Sequence, residues 1–287
     1  MKEISAEKRK LGVAAMLAAS LCLSIGGLLM KIIPWNPLAT NGARNLIACI
    51  VIGIYILIIK HPLKFNLTVF LGAVAVSMTT TLYAIANKLT TAGNTIVLEY
   101  TAPIWIIVFM YVFFKQKPDR TALITVFIVL LGICCFFLDS MSTGKWLGDA
   151  LALLSGIAYA VVFMLNRFEK GDALSSFFFS ELICGVFLSP LVLKETVFTP
   201  GVLAAVFALG SVQVGIAYIF FTIGTKYTEP ITASIINALE PILNPVLVAI
   251  FYKEVLGTYS LIGAAIVIAA ILFCDITTAR RKNPEQK

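Results

Sequence analysis

TAGNTIVLEYTAPIWIIVFMYVFFKQ, residues Thr91 to Gln116, decides how the rest of the chain is read. It is apolar enough to cross a bilayer, yet it carries a carboxylate, Glu99, and a proline, Pro103, in its interior. Proline has no N–H to give to the carbonyl four residues back. Here that carbonyl is Glu99's own, so an acidic side chain and a freed backbone oxygen meet at one level. The pattern returns at an offset of 138 residues in TASIINALEPILNPVLVAIFYKE, Thr232 to Glu254. Pro103 falls on Pro241, Glu99 on Asn237 and Gln116 on Glu254, and Pro245 adds a further helix-breaking residue one turn on. Two broken helices related by duplication are expected to face each other across a binding site near mid-membrane.

Composition sets the medium. The chain is 60% hydrophobic and 13% charged, with a mean hydropathy of +0.96; a water-soluble domain holds about 45–50% apolar and about 25% charged residues. The expectation is an all-α integral membrane protein. Apolar stretches of about 20 residues, the length that spans a bilayer, begin near Leu11, Pro37, Leu67, Thr91, Thr121, Trp146, Ala173, Val202, Pro230 and Gly257, which predicts ten transmembrane helices.

The net charge of +7 has a topological cause and needs no nucleic-acid partner. Lys and Arg crowd the N-terminus, the loops that follow even-numbered spans, and the C-terminus. The opposite loops hold one lysine each, Lys31, Lys88, Lys145, Lys194 and Lys253. By the positive-inside rule both termini are cytoplasmic, and the absence of a cleavage site after MKEISAEKRK reads as a retained first span in a plasma (inner) membrane. The cysteines Cys22, Cys49, Cys134, Cys135, Cys184 and Cys274 lie in spans without metal-ligand spacing, so packing is their expected role.

Residues 12–138 laid over 148–276 show a weak duplication, at an offset of 136 that becomes 138 between the second and third spans. Gly12 meets Gly148, Lys31 meets Arg167, RNLIAC from Arg44 meets SELICG from Ser180, Gly72 meets Gly210, and NKLT from Asn87 meets TKYT from Thr225. Five spans per repeat is an odd number, so the halves are expected to lie inverted relative to one another. The implied layout is a cytoplasmic segment 1–10, a first repeat 11–138, a connecting loop 139–147, a second repeat 148–276 and a cytoplasmic tail 277–287.

Charges at membrane depth cost about 2.5 to 3.5 kcal/mol even on the lenient insertion scale, so they usually point inward and find partners. Four stand out: Arg44, Glu99, Glu181 and Glu240. From their depth along the spans, Arg44 is expected to pair with Glu99, and Glu181 with Glu240 as an acidic pair able to share a proton. Asn237, Glu240 and Asn244 sit at i, i+3 and i+7, on one helical face. Tyr83, Tyr100, Trp105, Tyr159 and Tyr218 interleave with the acids, and Gln213 adds an amide; such rings either pack or hold an amine by cation–π attraction. Trp35 and Trp146 are expected at the lipid–water interface. Catalysis lacks its parts: the one histidine, His61, lies in a short loop, and no nucleophile–base set, metal cluster or phosphate-binding glycine motif is present.

YTAPIWIIVFMYVFFKQ, LEPILNPVLVAIFYKE and the arginine of the second span resemble the EamA branch of the drug/metabolite transporter superfamily over nearly the whole chain. The resemblance implies a secondary carrier, commonly an exporter, with a central cavity between spans 1 to 4 and 6 to 9 and alternating access by rocking of the halves. Gln116 departs from the acidic residue the family commonly has there, whereas Glu254 keeps it. The expected function is proton-coupled transport of small polar or zwitterionic metabolites such as amino acids or related amines, without a cofactor, by a monomer or homodimer. Alternatives are a carrier of cationic or amphipathic drugs, a lipid-carrier flippase of the same fold, and, from other classes, a membrane enzyme or a sensor.

Overall fold

The computed structural model describes residues 5–30, 32–89, 95, 98–117, 119–137 and 146–252, and helical positions between 262 and 273. The connecting loop 139–145, Glu254 and the tail from residue 274 lie outside the described residues. Every described element is helical. Helix α1 runs Ala6–Met30, α2 Pro37–Ile58, α3 Leu67–Leu89, α4 Ala102–Phe114, α5 Arg120–Phe137, α6 Trp146–Met164, α7 Ala173–Leu188 and α8 Pro200–Tyr227. Helix α9 comes in two pieces, Pro230–Asn237 and Glu240–Tyr252.

Local chemistry sets the ends. Asn36 caps α2 through Leu38 N–H with Pro37 in the first turn, Asp172 caps α7 through Ser175 N–H, and Thr199 caps α8 with Pro200 behind it. Each side-chain oxygen takes one of the donors a helix start leaves without an intrahelical partner. Lys60 and Lys115 adopt positive φ just beyond α2 and α4, where a left-handed residue closes the last turn.

Six helices among the described residues are long and apolar enough to cross a membrane: α1, α2, α3, α8 and the stretches Ala150–Arg167 and Ala173–Lys194. The fourth and ninth predicted spans are each interrupted within the described residues. Backbone turns at Tyr100 and Thr101 precede α4, and turns at Ala238 and Leu239 divide α9. Pro103 and Pro241 sit in the first turn after these breaks, where a missing N–H costs least. Pro245 does not break its helix, which continues from Glu240 to Tyr252. A single absent bond one turn into a helix held by its neighbours is tolerated in a membrane.

The packing repeats itself when the halves are exchanged. Helix α1 lies along the last part of α8, and α6 along α3. Helix α2 lies against the middle of α8, and α7 against α3; α4 meets α6, and α9 meets α1. Helix α2 packs on its own counterpart, α7. Glycines permit the close approaches. A Cβ on Gly210 would stand 2.6 Å from the Arg44 carbonyl oxygen, and one on its repeat counterpart Gly72 would stand 2.5 Å from Ser176 Oγ. The central cluster draws Met16, Ile52, Ile106, Phe163, Phe177 and Phe221 from six helices, while Leu57, Ile58, Phe187 and Leu193 stay exposed on the outer faces.

The loops pair by the same rule at opposite ends of α2. At one end Trp35 Nε1 donates to Val197 O at 2.7 Å and Asn36 N–H to Glu195 Oε1 at 2.8 Å. Trp35 is therefore buried against the loop after α7 and is not a lipid-interface anchor; its indole N–H found a carbonyl. At the other end Asp172 Oδ2 lies 2.7 Å from His61 Nε2 and 3.5 Å from Lys64 Nζ, and Asn66 Nδ2 donates to Lys170 O at 3.1 Å.

Candidate functional site

The two interruptions meet. Tyr100, at the break before α4, donates its hydroxyl to Glu240 Oε2 at 2.9 Å and lies 3.3 Å from the Asn237 carbonyl, the very oxygen that Pro241 leaves free. Asn237 is fully buried; its Nδ2 donates to Tyr159 Oη at 2.7 Å and to Glu240 Oε2 at 3.2 Å. From α1, the Ser20 hydroxyl reaches the Ile236 carbonyl and Asn237 Oδ1, each at 3.3 Å. Glu99 accepts a 2.7 Å hydrogen bond from the Ser155 hydroxyl of α6, and Gly156 beside it brings that helix close to the Glu99 carbonyl. At the α9 break the Ile236 and Asn237 carbonyls thus each face a side-chain hydroxyl, as a low-dielectric interior demands.

Glu99, Tyr159 and Glu240 border a cavity of about 370 Å³. Of the residues expected from sequence, Glu99, Glu240, Arg44, Asn244, Tyr83, Tyr159, Gln213 and Tyr218 line it. Tyr100 and Asn237 stand behind Glu240 and hold it. Trp105 is not on the wall: it packs against the core, and its indole N–H has no partner among the described residues.

The expected charge pairing is overturned. Arg44 does not ion-pair with Glu99. Its Nε donates to Asn41 Oδ1 at 2.9 Å, one turn earlier on α2, and its Nη1 to Gln213 Oε1 at 3.4 Å. Nor does Glu181 join Glu240. Glu181 is 1% exposed at the α2–α7 contact, outside the cavity. With the Asn45 amide turned so that its nitrogen faces both acceptors, Asn45 donates to Glu181 Oε2 at 3.0 Å and to Asn41 O at 3.1 Å, and Glu181 Oε1 has no partner among the described residues. The carboxylates that share the cavity are Glu99 and Glu240. Depth along a helix had been the guide, but depth does not say which way a side chain faces around the helix.

Sequence reasoning missed Asn41, Phe177, Phe221 and Gly26, all on the cavity wall, whereas Thr79, Thr80 and Gly27, also on the wall, lie on polar or small-residue stripes that the sequence shows. Asn41 was within reach, because it precedes Arg44 by three residues and so shares its face. Its Nδ2 is buried without a partner among the described residues. Gln213 sits in a π-helical segment, Leu209–Ile216, within α8, a distortion that recurs at functional sites. Gly26 and Gly27 follow a break in α1 at Ile25; a Cβ on Gly27 would strike Asn244 Oδ1 at 2.0 Å, and one on Gly26 would press Gln213 Nε2 at 3.0 Å. Rings floor the cavity: Phe177 stacks on Tyr218 with centroids 4.2 Å apart, and Phe163 meets Phe221 at 4.9 Å and Tyr159 at 4.8 Å.

The resulting site brings a guanidinium with amides and two carboxylates into one aromatic chamber between helices. Residues 10–138, and again 146–274, match the EamA-like transporter family. The chain belongs to that family. It is therefore part of the drug/metabolite transporter superfamily and is a multi-pass membrane transporter rather than an enzyme. An uncharacterized transporter of Archaeoglobus fulgidus is 24% identical over 197 residues, covering 68% of this chain and 71% of that one. The uncharacterized transporter YwfM of Bacillus subtilis is 24% identical over 226 residues, 76% of each chain. A crystal structure at 17% identity superposes with a TM-score of 0.79, covering 94% of this chain and 98% of that one, which shows the same fold. An EamA-like transporter handles a small-molecule substrate in a lipid environment.

Proposed function

We propose that this EamA-like transporter is a proton-coupled secondary carrier, working as an exporter, for small zwitterionic metabolites of the amino acid or related amine type. The observation that carries the reading is the coexistence in one cavity of Arg44, flanked by Asn41 and Gln213, with Glu99 and Glu240. A substrate carboxylate matches the guanidinium and amides, and its ammonium matches the carboxylates and the faces of Tyr83, Tyr159 and Tyr218. About 370 Å³ suits a small ligand. With two acids and one base, the cavity carries one formal negative charge in excess, which a single proton balances. Exchange of that proton for the substrate ammonium is the coupling.

The same reading has ten spans in two inverted halves, residues 11–138 and 148–276, in the plasma membrane with both termini cytoplasmic. The exchange symmetry of the helix contacts and the pairing of loops at opposite ends of α2 support the inversion. A central site that stays in place while the halves rock then opens to each side in turn.

The aromatic floor with two carboxylates favours a second reading, a carrier of cationic or amphipathic drugs, in which Arg44 is only structural. Thermal unfolding of the purified protein separates the two. An amino acid is expected to raise the unfolding midpoint, while its amide, which lacks the carboxylate, and its deaminated acid do not, and Arg44→Ala is expected to abolish the response. Equal stabilisation by the amide or by a quaternary ammonium compound would favour the drug reading and sink the first.

A further inference from the structure

Among the described residues Arg44 is held by neutral groups. Its Nε donates to Asn41 Oδ1 at 2.9 Å and its Nη1 to Gln213 Oε1 at 3.4 Å, and no described carboxylate ion-pairs with it. The two amides orient the guanidinium without neutralising it. Because each turns its oxygen toward the arginine, each turns its nitrogen away. Gln213 Nε2 stands beside Gly26, where an added Cβ would lie 3.0 Å from it. Asn41 is 1% exposed, and its Nδ2 has no partner among the described residues. An aspartate at position 41 would keep an oxygen for Nε, remove the orphaned donor and supply a counter-charge. Judged by contacts within the protein alone, the amide is the weaker partner. What it preserves is a cation on the cavity wall that touches no anion of the described residues.

The internal repeat shows that the fold itself does not demand this arrangement. At the offset of 136, Asn41 corresponds to Phe177 and Arg44 to Ser180. Phe177, also on the wall, stacks on Tyr218 with centroids 4.2 Å apart, and the Ser180 hydroxyl lies 3.0 Å from that of Ser77. Equivalent positions thus offer a guanidinium with an amide in one half and a ring with a hydroxyl in the other. We propose that Asn41 is a specificity-determining residue: by accepting from Arg44 as a neutral amide, it leaves the guanidinium charge to the carboxylate of a zwitterionic substrate. Asn41 acts through Arg44 and is therefore a positioning residue. With Asn41→Asp a substrate acid would meet an arginine already ion-paired and one more negative charge, while Glu99 and Glu240 remain on the wall for an ammonium. The variant cavity prefers amines that lack an acid group.

The inference rests on the zwitterion reading, and one arm of its test needs no ligand. In full-length protein in detergent, Asn41→Asp is expected to raise the unfolding midpoint of the parent and to lower that of Arg44→Met, because a buried carboxylate stabilises only beside its cation. A midpoint lowered in both backgrounds, or a variant that does not fold, would mean that Arg44 already has its counter-charge and would overturn the inference. In the second arm the midpoint is followed against the proteinogenic amino acids and the amines formed from them by loss of the carboxyl group. For an amino acid that stabilises the parent, Asn41→Asp is expected to raise the half-maximal concentration at least about tenfold, and the matching amine to become the tighter ligand. Gln213→Glu, which faces Nη1, is expected to change the order in the same direction. An amino acid response that survives Asn41→Asp would overturn the assignment of Asn41 alone; a parent that responds to no amino acid would sink the zwitterion reading and the assignment with it.

Discussion

Asn237 shows how little freedom a single buried residue has in this molecule. Its side-chain nitrogen serves Tyr159 and Glu240 together, its carbonyl lies 3.3 Å from the Tyr100 hydroxyl, and its side-chain oxygen lies 3.3 Å from the Ser20 hydroxyl. Asn237→Ala leaves Glu240 and Tyr159 each short of a partner in the interior. The expected loss of stability is about 1–3 kcal/mol, read as a lower unfolding midpoint; a midpoint equal to that of the parent would show that water fills the gap without cost. Arg44 is constrained differently. The planar fork that reaches Asn41 on its own helix and Gln213 on another is a geometry lysine does not offer. Sequence identified Asn237, Glu240, Glu99 and Arg44 as a site, because polar groups in apolar spans announce themselves. It mispaired them, because Arg44 was satisfied by amides that carry no charge signal.

Elements in this fold are shaped by interruptions and by glycines. The breaks before α4 and within α9 were legible in Pro103 and Pro241, since proline removes a donor whatever surrounds it. The break at Ile25 in α1 and the π-helical turn in α8 were not, because no residue compels them and neighbours decide them. The α2–α7 contact depends on Gly42, where a Cβ would stand 2.4 Å from the Leu188 carbonyl carbon and 2.5 Å from Ser189 N. Backbone cannot step aside as a side chain can, so Gly42→Ala is expected to lower the unfolding midpoint in detergent markedly. Gly201→Ala, with nothing within 4 Å of the added atom, is expected to leave it unchanged within error. Equal midpoints for the two variants would mean that α2 and α7 do not meet as described.

For the whole molecule, coupling is the property that no element holds alone. In proteoliposomes carrying a pH gradient, Glu240→Gln is expected to make whatever substrate flux remains independent of that gradient, because the exchangeable proton has lost its carboxyl. Flux that still follows the gradient would place the proton elsewhere, with Glu99, the other carboxyl on the cavity wall, the next to test. The sequence by itself determined the medium, the helical class, the duplication and the polar residues of the site, since hydropathy, proline and buried charge act through local chemistry that any neighbour must respect. Only the tertiary structure decided that Glu99 and Glu240 share a cavity while Glu181 stands apart, and that Asn41 joins Arg44. Those facts depend on the rotation of each helix about its axis and on which glycines let helices touch, and neither is encoded in the spacing of residues along one chain.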